Sequence, residues 1–359
     1  MEVDGSSSER DPEYDSVADG KRSGTPSVVG KKNGNGVPDV ATQPTPSQPS
    51  EVWFYIQIAF FAMCGCLCRI GIDRCFGNLA KIENSAQIVN QSFFSNIFGS
   101  FVLGALNGSP MSKTRLAALL KGLTTGFCGS FTTWSKWNQQ ISLTLVGESQ
   151  TPGTQMQVLS IASWFIGFYT FIGSYAVGID FGKDVGRLIG KHVHKKGDKI
   201  ANVCVTVLLL LATGGFIAGV VVDPTVNKQI WLAVLFAPFG ACLRAWLSRF
   251  RIERFKLPLG TLIANVLGAV LLAGLHVINT RAVHCTGSGI SICWPTIVTY
   301  GVGTGFCACL TTISTFMSEV YKLRPEHPRF AYFYALLTVI TCQVLTGIIN
   351  GINLNYDTY

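Results

Sequence analysis

The stretch Thr125-Gly-Phe-Cys-Gly-Ser-Phe-Thr-Thr-Trp-Ser-Lys-Trp137 is written a second time as Thr304-Gly-Phe-Cys-Ala-Cys-Leu-Thr-Thr-Ile-Ser-Thr-Phe316, with identical residues at the Thr, Gly, Phe, Cys, Thr-Thr and Ser positions. Neither copy suits a continuous helix, because glycine weakens a helix and threonine hydroxyls bond back to the backbone. A break is therefore expected in each. Upstream, Gly65-x-x-x-Arg69 is matched by Gly240-x-x-x-Arg244, and Ser95-Asn96-x-x-Gly99 by Ala264-Asn265-x-x-Gly268, in the same order. Chance likeness between apolar segments does not produce three ordered polar landmarks, so the chain is an internal duplication.

The 359 residues are 48% hydrophobic and 13% charged, with 38 glycines and a mean hydropathy of +0.37. A soluble protein of this length needs more charge, whereas glycine-rich apolar segments suit helices packed in a membrane. Nine spans are expected, at 53–72, 88–107, 116–146, 157–179, 201–222, 230–248, 257–279, 296–321 and 330–352. The fold class is an all-α polytopic membrane protein: two four-helix repeats, 52–180 and 230–359, joined by 181–229, a basic loop and a linker transmembrane helix. Residues 1–51 read as a disordered tail, being Ser-, Gly- and Pro-rich with few large apolar residues. Lys and Arg crowd alternate loops, as in Lys183–Lys199 and Arg249–Lys256, while the opposite loops carry only Arg74, Lys81, Lys228 and Arg281. The positive-inside rule then puts the N-terminus in the cytoplasm and the C-terminus outside. The net charge of +8 reads as a topology signal, not as a nucleic-acid surface. One linker span between two even-numbered repeats inverts the second repeat, a recurring transporter design.

Polar groups inside hydrocarbon are functional candidates. Asn96 and Asn265 offer amide donors to an anion, or alternatively an interhelical hydrogen bond. The breaks would free carbonyls at mid-membrane, for a bound cation or for a kink packed on a neighbour. Trp134 and Trp137, matched by Ile313 and Phe316, can present the positive edges of rings. Arg69 and Arg244 close their helices near span ends, where they can snorkel, and a structural or vestibule role is expected of them. Tyr334, Thr338 and Thr341 or Cys342 form one helical stripe, with Tyr169, Gly173 and Val177 as the first-repeat counterpart. Among the histidines only His276 falls in a span, and no nucleophile–His or metal constellation is visible, which argues against an enzyme. Most of the 12 cysteines lie in apolar stretches; Cys285 and Cys293 share a polar loop where a disulfide is plausible.

Together these landmarks resemble the Fluc/FEX fluoride channel family, over about residues 52–359. The resemblance implies a passive fluoride exporter of the plasma membrane, in which two inverted copies are fused, so that the chain works as a monomer in the lipid bilayer without an organic cofactor. It implies pore roles for Asn96, Asn265, Thr133, Thr312, Ser135, Ser314, Tyr334 and Thr338. It places the family's pore phenylalanines at Trp134, Trp137, Ile313 and Phe316, where only Phe316 is retained, and it implies a structural sodium ion held by the carbonyls of Gly129, Thr132, Ala308 and Thr311. Lys136 replaces a family threonine and adds a fixed charge. These departures suggest one working pore and one vestigial one. The rival is an inverted-repeat transporter of another small ion or solute, which would saturate and couple to protons.

Overall fold

The duplicated Thr-Thr segments do interrupt their helices. The computed structural model describes residues 51–81, 89, 91–109, 117–147, 153–189, 198–222, 227–252, 257–282 and 294–356, and these are helical apart from the two breaks, short turns and one isolated bridge between Ile252 and Leu257. The first repeat runs α1 (Glu51–Asp73), α2 (Phe93–Gly108), α3 (Ala117–Lys121), α4 (Gly129–Phe131), α5 (Ser135–Val146) and α6 (Gly153–Ile189). The linker helix is α7 (Asp198–Val222). The second repeat runs α8 (Lys228–Leu247), α9 (Leu259–Ala282), α10 (Trp294–Gly301), α11 (Ala308–Leu310), α12 (Ser314–Leu323) and α13 (Pro328–Tyr356). The expected tail up to residue 50, the disulfide of Cys285 and Cys293, and most of the basic loop lie outside the described residues, while Glu51, expected in the tail, begins α1.

Among the described residues seven helices are long and apolar enough to cross a membrane, and α2 is a shorter apolar helix. The ninth expected span, 116–146, is the interrupted series α3 to α5, so all nine have a helical counterpart. Two bounds need correction. The fourth span extends to Ile189, giving α6 37 residues, about 55 Å against roughly 30 Å of hydrocarbon. The start of the expected basic loop is therefore helix. The linker α7 has a mean hydropathy of 2.5 and only 6% of its span buried, as expected of a helix facing lipid.

The two repeats are interleaved, and Pro49–Tyr359 is one compact unit. Each interrupted span packs on the first helix of its own repeat, and the glycines of the repeated motifs allow the approach. A Cβ on Gly65 would strike the Phe127 carbonyl, and one on Gly240 the Phe306 carbonyl. Likewise Gly99 leaves room for the Thr132 methyl and Gly268 for that of Thr311. The α2–α6 crossing is tighter still. Gly104 and Gly108 face Tyr175 and Ile179, while Gly178 and Gly182 face Phe101 and Ala105, the small-residue spacing that brings membrane helices into backbone contact.

Candidate ion pathway

Each break is built the same way. A π-helical turn, Gly122–Cys128 or Val302–Cys307, leads into the three-residue α4 or α11. The chain then turns extended at Thr132 (φ −94°, ψ 155°) and at Thr311 (φ −91°, ψ 157°). Helix resumes at Ser135 and Ser314. The two breaks meet in a buried hydroxyl cluster with reciprocal contacts. Thr132 Oγ1 lies 3.0 Å from Ser314 Oγ and 3.1 Å from Thr312 Oγ1. Thr311 Oγ1 lies 3.0 Å from Ser135 Oγ and 3.3 Å from Thr133 Oγ1. Ser135 N–H donates to Thr311 Oγ1, and Ser314 N–H to Thr132 Oγ1. Such paired contacts are the signature of a local two-fold relation.

Asn96 and Asn265 act on the breaks of their own repeats. Asn96 accepts from Thr133 N–H at 2.8 Å and donates to its carbonyl at 3.2 Å. Asn265 does the same with Thr312, at 2.9 and 3.3 Å. Both amides therefore serve the interhelical role first, with one N–H of each beyond these bonds.

Arg69 and Arg244 are 0% and 3% exposed, so neither snorkels nor lines a vestibule. The reason is local. The breaks leave helix carbonyls without N–H partners, and a guanidinium is the side chain with enough fanned donors to meet them. Arg69 donates to the Ser130 carbonyl at 2.6 Å, to Ala308 at 3.3 Å and to Thr304. Arg244 donates to Cys309 at 2.6 Å, to Gly129 at 2.7 Å, to Thr311 at 3.2 Å and to Thr125. Each arginine thus holds its own repeat and the other. This bears on the sodium ion that the resemblance implies. The carbonyls of Gly129, Ala308 and Thr311 already accept from the two guanidiniums. A sodium ion held by them would sit against two fixed positive charges in low dielectric, so the residues as arranged do not fit it.

The aromatic positions differ between repeats. Trp134, Trp137, Ile313 and Phe316 are all fully buried. Phe316 meets Tyr334 of α13 at a ring distance of 5.2 Å, and Trp137 meets Phe171 of α6 at 5.1 Å. Phe171 and Tyr175 lie on the buried face of α6, where Tyr175 meets Ser318 as Asn350 of α13 meets Gln139. The expected counterpart of Tyr334, Tyr169, is 70% exposed on the outer face. On α13 the buried stripe is Tyr334, Thr338, Cys342, Thr346 and Asn350, with Cys342 rather than Thr341 in line. Polar partners follow it from end to end. Tyr334 Oη donates to Glu319, which also accepts from Thr261. Asn138 donates to Thr346, Gln139 to Asn350, Asn350 to Ser142, and Asn353 to Thr280. A cavity of about 350 Å³ opens beside Gln139, lined by Lys136, Gln140, His276, Asn279 and Thr299. The charge on Lys136 is offset by Asp73 at 3.8 Å, a carboxylate that also accepts from Ser92 and Ser95.

Sequence reasoning missed Glu319, Asn138, Thr346 and Asn350. The four-residue spacing on α13 could have found two of them, since it continues from Cys342 to Thr346 and Asn350. Glu319 was findable by setting it against Gln140, its partner in the repeated segment.

Comparison with known proteins agrees with this architecture. The description "CrcB-like protein, Camphor Resistance (CrcB)" matches residues 56–178 and again 231–351. Fluoride export protein 1 of Schizosaccharomyces pombe is 31% identical over 253 residues, covering 66% of this chain and 76% of that protein. Fluoride export protein 1 of Candida albicans is 28% identical over 247 residues, covering 62% and 58% respectively. The fluoride-specific ion channel FluC of Psychrobacter arcticus is 49% identical over 92 residues, which is 25% of this chain and 68% of the relative. The chain spans only 58% and 63% of the lengths of the Candida albicans protein and of the Neurospora crassa fluoride export protein 1. No solved structure matches. With one match in each half, together covering more than half of its length, the chain belongs to the CrcB-like family.

Proposed function

We propose that this multi-pass membrane protein is a fluoride-selective channel that lets fluoride leave the cell passively across the plasma membrane. The observation that carries the reading is the buried stripe of α13, Tyr334, Thr338, Cys342, Thr346 and Asn350, with Glu319 of α12 beside one end and Gln139 of α5 beside the other. Fluoride is strongly hydrated, so a path must replace its water with several donors in succession. The amide N–H groups of Asn and Gln do this without a ring of lysines or arginines that would hold the ion too tightly to release it. The inside-negative potential supplies the drive, about 2.3 kcal/mol per elementary charge per 100 mV. The names of the relatives support fluoride as the ion. Neither an organic cofactor nor a catalytic step has a part in this reading, and sodium is left out of it on the geometry given above.

In the orientation that fits the charge pattern, the N-terminus is cytoplasmic and the C-terminus extracellular. The linker α7 makes the second repeat antiparallel to the first, and the chain works as a monomer because both copies are present. The odd number of spans separating the two repeats supports that inversion. Conduction follows α13 alone. On the α6 side the corresponding positions are closed by Trp137, Trp164 and Phe171, where the Trp137 ring meets the other two edge-to-face at 4.4 and 5.1 Å. Purified protein in liposomes should pass fluoride and exclude chloride, without saturation or proton coupling. Asn265→Ala and Phe316→Ala should abolish that flux. Saturable, proton-coupled uptake would instead favour the transporter reading.

A further inference from the structure

We propose that the indole N–H of Trp134 is a direct ligand for the anion, midway along the α13 stripe. This rests on the channel reading above. Trp134 is fully buried at the start of α5, immediately after the first break. Its ring is held edge-on by Phe316 at 5.0 Å and packs on Trp164 at 5.3 Å. The Nε1 atom has no oxygen or nitrogen acceptor, and its polar neighbour is the Cys342 thiol, a weak acceptor on the stripe. A buried donor left unpaired in a native core calls for an explanation, and an intermittently bound ion is one.

The surrounding hydroxyls sharpen the point. Thr338 and Thr346 spend their O–H hydrogens on the carbonyls of Tyr334 and Cys342, each at 2.8 Å. At this level their oxygens present lone pairs, which repel an anion, so the donors must be N–H groups. Trp134 and Asn138 are the residues in position, Asn138 having one amide N–H beyond its bond to Thr346. An indole carries a donor and no fixed charge, so it grips an anion without trapping it. The matching residue of the second repeat, Ile313, has no donor at all. Trp137 and Trp164 also have unpaired Nε1 atoms; Trp164, on α6 beside the Trp134 ring, shows whether loss of a neighbouring indole donor has the same effect and so provides a control.

Trp134→Phe keeps the ring and deletes the donor. In liposomes it should lower fluoride efflux at least about tenfold, equivalent to about 1.4 kcal/mol, while Trp164→Phe keeps the parental rate. In full-length protein carrying ¹⁵N-indole tryptophan, the Trp134 Nε1–H resonance, assigned from the Phe variants, should shift and saturate with sodium fluoride but not with sodium gluconate. Parental efflux from Trp134→Phe, or a resonance that ignores fluoride, overturns the proposal. Should Trp134→Phe fail to assemble, the titration of the unaltered protein decides. Should the unaltered protein pass no fluoride while the resonance still responds, the channel reading falls and the anion ligand stands.

Discussion

α13 and α6 occupy matching places in the two repeats, yet their buried stripes have different chemistry. One reads Tyr334, Thr338, Cys342, Thr346, Asn350; the other reads Ser163, Gly167, Phe171, Tyr175. The breaks between them are nearly interchangeable, with the same Asn-to-backbone clasp, the same hydroxyl exchange and one arginine each. The duplication has therefore kept its scaffold in two copies and its long polar stripe in one. Gly167 shows how the other side closed: a Cβ there would collide with the Trp137 ring, so the glycine leaves space that the indole fills.

The comparison breaks most directly if both sides are obstructed in turn. Thr338→Trp should cut fluoride efflux by at least about a hundredfold, some 2.7 kcal/mol, and Phe171→Leu should leave it near the parental rate. Equal losses would mean that both sides conduct. The scaffold should behave in the opposite way. Arg69→Gln and Arg244→Gln each orphan several buried carbonyls and lose charged hydrogen bonds, so each should cost at least about 3 kcal/mol in unfolding measurements in detergent. Near-equal costs sharpen the idea of a shared scaffold, and a large difference breaks it. Asn96→Ala and Asn265→Ala should each destabilise by about 1–3 kcal/mol, the cost of orphaning the Thr133 or Thr312 backbone, although only Asn265→Ala is expected to abolish flux. The smallest effect belongs to Gln140→Glu. It copies Glu319 into the first repeat, and by itself it should open no second path, read as unchanged efflux.

Much of this was legible before any coordinates. The Gly and Thr-Thr content foretold both breaks, and hydropathy found α7 as the lipid-facing linker. What stayed hidden depended on tertiary context. Arg69 and Arg244 sit near the ends of apolar runs, where snorkelling is the ordinary outcome, and only the paired breaks reveal a need for their donors inside. The α6 register was misjudged because Tyr169 matches Tyr334 by residue type, whereas the buried face of α6 runs through Ser163, Gly167, Phe171 and Tyr175. Glu319 looked like part of a polar half-helix until Tyr334 and Thr261 were seen to close on it.

The arginine clasp also sets a timetable for synthesis. The carbonyls of Thr125 and Gly129 accept from Arg244, which lies 119 and 115 residues further along the chain. At a translation rate of about 5–20 residues per second, the first broken helix waits roughly 6–24 s for its donor. During that interval water or lipid headgroups must solvate those oxygens, so the nascent first repeat is a guest of the membrane before it is a folded part of it.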